Sequence, residues 1–124
     1  MNIKVRFNNF IQHKICVKVY FILNQNYNLM KTKKDIVQNW LPRYTGTDLE
    51  NFGNYILLTN FGDYVDIFAK KNNVKVNGKK KAMPNATAGN ITIINFGMGS
   101  ANAATIMDLL SSIKPKAVLF LGKC

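Results

Sequence analysis

Ile91-Thr-Ile-Ile-Asn-Phe96, then Gly97-Met98-Gly99-Ser100, then a segment carrying Ala103, Ile106, Met107, Leu110 and Ile113, then Ala117-Val-Leu-Phe-Leu121: this stretch decides the fold. The first six residues are a short, nearly continuous apolar run, the pattern of a strand buried on both faces. Two glycines interrupt it. The apolar residues that follow recur at spacings of three and four, which predicts a helix over 101–113. Lys114-Pro115 ends that helix, because the residue before a proline is pushed out of the helical region. Ala117 to Leu121 is a second buried strand, closed by Gly122. Strand, glycine turn, helix and strand within about thirty residues make a βαβ unit, which requires a parallel sheet with helices on its faces.

Working outward, Tyr55-Ile-Leu-Leu-Thr59 is another short apolar run, followed by an Asn60-Phe61-Gly62 turn. Tyr64, Val65 and Phe68 then recur at helical spacing to about Asn72, with Asp63 and Asp66 as the acidic first turn that suits the helix dipole. Val74-Lys75-Val76 reads as a short strand, and Asn77-Gly78 followed by Lys79, Lys80 and Lys81 as a solvated turn. Further upstream, Thr32 and Asp35 resemble a capping box, and Ile36, Val37, Trp40 and Leu41 form an apolar face that assigns Trp40 to the core. Pro42 is expected to end that helix. The fold class is therefore α/β, a mainly parallel central sheet with flanking helices. Segments 55–59, 91–96 and 117–121 are expected to be neighbouring strands. There is neither an internal repeat nor a low-complexity linker.

The first 29 residues differ in kind. They contain no Gly, Pro, Ala, Asp or Glu, and they hold Lys4, Arg6, Lys14 and Lys18 without any acid. Val17, Val19, Phe21 and Leu23 alternate with Lys18, Tyr20 and Ile22, which permits a strand. The break in composition at Met30 supports residues 1–29 as an upstream extension outside the core and 30–124 as the domain proper; a genuine N-terminal strand or arm is the alternative. Cys124 directly follows a strand, where the loop that builds a site in an open α/β sheet would begin. The domain is accordingly expected to continue beyond it.

With 124 residues, 48% hydrophobic and 19% charged, the chain has the composition of one globular domain. The net charge of +11 invites phosphates or acidic surfaces. A nucleic-acid-binding module is one reading of that charge, but no aromatic residues are interleaved with the lysines for base stacking. Cys16 and Cys124 lack metal-ligand spacing, and a reduced, cytoplasmic setting is expected. The apolar run Val19 to Leu23 is too short to cross a bilayer and lacks the features of a signal peptide. His13 has no acid or thiol beside it in sequence. Asp108 lies off the apolar stripe of its helix. No nucleophile, base and orienting group occur together.

The glycine turn is the chemical feature that remains. Glycines there let the backbone approach a ligand, and the following helix N-terminus offers free N–H groups. The turn is not the dinucleotide fingerprint, which needs a third glycine. A tight strand-to-helix turn with no ligand is an equally good reading of these residues alone.

Three stretches resemble the AMP nucleosidases of the nucleoside phosphorylase superfamily. They are Arg43-Tyr-Thr-Gly-Thr47 with Phe52 and Tyr55-Ile-Leu-Leu-Thr-Asn-Phe61 leading to Tyr64-Val65; Ile93-Ile-Asn-Phe-Gly-Met-Gly-Ser100 with its helix; and Ala117-Val-Leu-Phe-Leu-Gly-Lys-Cys124. The resemblance spans residues 30–124 and implies an N-terminal part of such an enzyme. It implies hydrolysis of AMP to adenine and ribose 5-phosphate in purine salvage, without a cofactor, a metal, a nucleic acid or a membrane, in a homo-oligomer that is a hexamer in the intact family. The implied substrate-binding residues are Asn60, Gly97, Met98, Gly99, Lys123 and Cys124, with Cys124 near the base. The purine-protonating acid and the ribose-binding Met-Glu pair are expected beyond residue 124, so the 124-residue chain alone is expected to be inactive. Phosphorolytic relatives place a Gly-Asp-Pro turn and an arginine after the first strand, and another arginine near the end of the third. Here those positions hold Asn60-Phe61-Gly62, Tyr64 and Phe120. Loss of both bidentate forks argues for water as the nucleophile, and a purine nucleoside phosphorylase is the second enzymatic reading.

Overall fold

A computed structural model of the chain describes residues 15–20 and 31–123. Its elements are β1 (Ile15–Tyr20), α1 (Lys31–Thr45), β2 (Tyr55–Thr59), α2 (Gly62–Asn72), β3 (Asn85–Ala88), β4 (Ile91–Asn95), α3 (Ser100–Leu110) and β5 (Ala117–Lys123). The strands form one sheet in the order β1-β5-β2-β4-β3. Both neighbours of the central β2 are parallel to it, with Tyr55 opposite Ile91 and Ala117, and Thr59 opposite Asn95 and Leu121. The three apolar runs are thus adjacent strands, as the sequence predicts. The two outer strands, β1 beside β5 and β3 beside β4, are antiparallel.

Alternation along the strands divides the core. Ile56, Leu58, Ile94, Phe96 and Val118 face one side, where Val37 and Leu41 of α1 and Ile106, Leu109 and Leu110 of α3 cover them. Leu57, Ile93 and Leu121 face the other, against Tyr64, Val65 and Ala69 of α2. Leu58, Ile94, Leu41, Ile106 and Leu110 are wholly buried. Burying a side chain of this size stabilises a fold by roughly 1.5–3 kcal/mol, so the sandwich of helices about β2 supplies most of the cohesion.

Four local expectations are corrected. Helix α1 does not stop at Pro42 but runs to Thr45. The extra turn is held by the Thr45 hydroxyl, which donates to the Leu41 carbonyl at 2.7 Å, and by the Gly46 N–H, which donates to the Pro42 carbonyl at 2.8 Å. Trp40 is not core: it is 44% exposed and tilts against Tyr44, with ring centroids 6.1 Å apart. Val37, Leu41 and Thr45, four residues apart, take the buried stripe instead. Residues 74–76 are not a strand; Val74 and Val76 tuck beside α2 as irregular chain. The strand on that side is β3, whose Asn-Ala-Thr-Ala gives no apolar alternation. The helix after the glycine turn ends at Leu110, and residues 111–113 continue as a turn.

The Tyr44-Thr-Gly-Thr47 stretch proves to be architectural. Thr45 and Thr47 are buried, and so is Asn85 of β3. The Asn85 amide donates to the Thr45 carbonyl at 2.8 Å, and its carbonyl accepts from the Thr47 hydroxyl at 2.8 Å. Gly46 and Gly78 have φ of +66° and +65°, and their backbones meet so closely that a Cβ on Gly78 would fall 2.1 Å from the Thr45 oxygen. This polar knot fixes the end of α1 to the sheet edge.

Candidate functional site

In an open α/β sheet, ligands gather beyond the carboxyl ends of the parallel strands. Here the register brings three strand ends level, because Thr59 lies opposite both Asn95 and Leu121. One to four residues further along the chain from these level positions stand Asn60, the Gly97-Met98-Gly99 turn, and Lys123. Two helices start at the same edge, α2 directly after β2 and α3 directly after β4. Their N-termini turn unpaired N–H groups and the positive ends of their dipoles toward it.

The glycine turn has the conformation that its residues require. Gly97 and Gly99 have φ of +79° and +97°, values that side chains rarely adopt. A Cβ on Gly97 would also meet the Asn102 amide nitrogen at 3.2 Å. Two asparagines brace the loop: the Asn95 carbonyl accepts the Gly97 N–H at 2.9 Å, and the Asn102 amide donates to the Met98 carbonyl at 2.9 Å. Met98 is 79% exposed.

At the neighbouring tip, the Phe61 N–H bonds back to the Thr59 hydroxyl at 3.1 Å, and the Phe96 N–H continues the ladder to the Thr59 carbonyl at 3.0 Å. The Lys123 ammonium lies 4.7 Å from the centre of the Phe61 ring. This cation–π contact joins the β5 and β2 tips and leaves the exposed ammonium free to meet an anion. The side-chain oxygen of Asn60 is buried without a hydrogen-bond partner. A buried acceptor left unpaired costs about 1–3 kcal/mol, so its place at this edge is informative.

Tyr64 and Phe120, expected from the sequence resemblance to stand where phosphorolytic relatives have arginine, are consumed by packing. Tyr64 is buried in the cluster beneath α2, with its ring 5.5 Å from that of Phe61. Phe120 packs on the opposite face, 4.9 Å from the Phe96 ring. Five of the six residues expected to line a pocket (Asn60, Gly97, Met98, Gly99 and Lys123) therefore share this edge. Cys124 lies outside the described residues. Sequence reasoning missed Asn95 and Asn102, the two braces of the turn; an asparagine two positions before a glycine at a strand end was the available signal. Among the described residues no group of three or more potential metal ligands occurs, and no helix is long and apolar enough to cross a membrane. The lysine turn at 79–81 is exposed, as expected.

The chain thus sets a doubly kinked glycine turn, an asparagine and a lysine along one carboxyl edge of a parallel α/β core. Its relatives are AMP nucleosidases. A crystal structure of AMP nucleosidase from Bacteroides thetaiotaomicron VPI-5482 superposes with a TM-score of 0.69 at 61% sequence identity, over 71% of this chain and 38% of that one. AMP nucleosidase from Escherichia coli strain K12 is 28% identical over 121 residues, covering 68% of this chain and 25% of the relative. The Escherichia coli O157:H7 protein gives the same values. No family model matches the chain. The resemblance to AMP nucleosidases is thus shown over about seven-tenths of this chain, which spans between a quarter and two-fifths of the length of these relatives.

Proposed function

We propose that these residues form the first part of the nucleotide site of an AMP nucleosidase, an N-glycosyl hydrolase that converts AMP and water to adenine and ribose 5-phosphate. The 61% identity to the Bacteroides thetaiotaomicron protein carries this reading. The geometry fits it. Adenine leaves from a ribosyl centre with oxocarbenium character, which demands donors for the sugar and phosphate oxygens and a proton for the purine. Turn N–H groups at 97–99, the two helix N-termini and the Lys123 ammonium supply donors and positive potential along one edge. Met98 offers apolar surface to the nucleoside, and Cys124 is assigned to the base side.

Water is the nucleophile in this proposal. A phosphate dianion leaving water needs charged, forked donors to replace its hydration. The two positions that supply them in phosphorolytic relatives hold Tyr64 and Phe120, both packed among apolar side chains. The acid that protonates the purine is assigned to residues outside 1–124, and the setting to the cytoplasm, in purine salvage, within a homo-oligomer of the family's hexameric kind.

The test is adenine release from AMP by the protein encoded by the full reading frame, followed by chromatography with and without inorganic phosphate. Adenine and ribose 5-phosphate are expected in both cases, with no turnover by residues 1–124 alone. Ribose 1,5-bisphosphate as the sugar product would establish phosphorolysis and overturn the hydrolase assignment.

A further inference from the structure

We propose that Phe61 is a positioning residue: its ring holds the Lys123 ammonium ready for the 5′-phosphate of the nucleotide, and so favours AMP over adenosine. The inference rests on AMP as the substrate in the reading above and names the device that recognises its phosphate. Thr59 and Leu121 stand opposite each other in the parallel pair of β2 and β5. Phe61 and Lys123 each follow two residues later, so the register and the alternation of side chains bring them level on the face that α2 covers. There the ammonium sits 4.7 Å from the centre of the ring. The ring is itself a fixed platform. Phe61 is half-buried, its N–H donates to the Thr59 hydroxyl at 3.1 Å, and its carbonyl accepts the Tyr64 N–H at 3.2 Å. Its ring leans on that of Tyr64, with centroids 5.5 Å apart.

A free lysine spreads its charge over many rotamers and loses that freedom when it grips an anion. The aromatic face removes part of that cost in advance, and unlike a carboxylate it leaves the cation its charge. Lys123 is exposed, so the ammonium is open to a ligand. An ammonium carries N–H donors and no acceptor. It gains most from a phosphate dianion and far less from a neutral hydroxyl. The N-termini of α2 and α3 open onto the same edge and add positive potential there. Adenosine differs from AMP by the phosphate alone, so the pair of Phe61 and Lys123 separates nucleotide from nucleoside. Lys123 makes the contact, and Phe61 acts through it.

The experiment measures AMP turnover by the full-length protein in phosphate-free buffer, with adenosine as a competing ligand. Phe61→Leu removes the aromatic face and is expected to raise KM for AMP about two- to fivefold, the worth of one exposed cation–π contact, with kcat nearly unchanged. The inhibition constant of adenosine should not move. Phe61→Tyr keeps the face and should restore KM. Fluorinated phenylalanines placed at position 61 drain the negative face while nearly keeping the shape of the ring, so KM should rise with each fluorine added. That series decides the matter if Phe61→Leu fails to fold. In a Lys123→Met background all of these changes at position 61 should vanish. A rise in KM that persists without Lys123, or that adenosine binding shares, overturns the inference, because the ring would then act through its shape. An unchanged KM across the fluorinated series overturns it as well. Absence of adenine release from the unaltered protein would instead refute the nucleosidase reading on which the inference stands.

Discussion

Replacing Gly78 by alanine tests the polar knot that anchors α1 to the sheet. Two costs add at this position. Gly78 has φ of +65°, and holding an alanine in the left-handed region costs roughly 1–2 kcal/mol. The new Cβ would also lie 2.1 Å from the Thr45 oxygen and 2.9 Å from its carbon, so the Thr45 peptide must move. That oxygen accepts the buried Asn85 amide at 2.8 Å, and disturbing such a bond costs about 1–3 kcal/mol. The expected loss is therefore about 2–5 kcal/mol. Gly89 provides the control: its φ is +56°, and no atom lies within 4 Å of a Cβ built there. Gly89→Ala should show the backbone cost alone, about 1–2 kcal/mol. Urea unfolding monitored by far-ultraviolet circular dichroism, with identical m-values in all three proteins, measures the difference. Equal losses in the two variants would show that the close approach at Gly78 is relieved without cost, and the account of the knot would be wrong.

Other expectations concern the same knot and the site. Asn85→Ala should destabilise by about 2–4 kcal/mol in the same assay, because it removes three buried hydrogen bonds and leaves the Thr45 carbonyl unpaired; a change under about 0.5 kcal/mol, the range of ordinary surface substitutions, would show the network idle. Lys123→Ala should weaken ribose 5-phosphate binding to the full-length protein by about two- to fivefold, as befits one exposed charge, measured by titration calorimetry. The deficit should shrink as salt is raised, and a salt-independent deficit would count against a charge contact.

The parallel core was readable because each of its strands is buried on both faces and so appears as a plain apolar run between glycine or asparagine turns. Edge elements were not. The four residues of β3 are short and mixed in polarity, and what holds them is the backbone ladder to β4 and the Asn85 knot. Val74 and Val76 carry the β-branched character of a strand, yet they only fill the flank of α2. Trp40 follows the helical period of its neighbours, but the buried stripe of α1 tilts toward Leu41 and Thr45 and leaves the indole at its margin. Pro42 lies within the helix because side-chain and turn donors satisfy the carbonyls of its last turn, a tertiary detail that no propensity encodes. At the candidate site, positions after strand ends could be read from topology alone. The bracing by Asn95 and Asn102 and the unpaired oxygen of Asn60 could not, since they depend on where side chains point.

Tyr64 and Phe120 lie on opposite faces of the sheet, one ring against Phe61 beneath α2 and the other against Phe96 on the side of α1 and α3. Each ring is tied to a residue at the tip of a parallel strand, so each helps to fix the carboxyl edge. Phe61 in turn carries the Lys123 ammonium over its ring. The packing of Tyr64 therefore reaches the cation through one intermediate side chain. Restoring an arginine at 64 would place a charge in a cluster of Leu57, Val65, Ala69 and Ile93, where an unpaired guanidinium has no partner and burial is costly. It would also remove the ring that supports Phe61 under Lys123. In the proposed reading, the change from phosphate to water as nucleophile is thus coupled to the core, and a single Tyr64→Arg substitution should cost stability without introducing phosphorolysis. Thermal melting of that variant together with its sugar product from AMP in phosphate buffer decides the matter: a stable variant that yields ribose 1,5-bisphosphate would show that the aromatic packing is incidental to the choice of nucleophile.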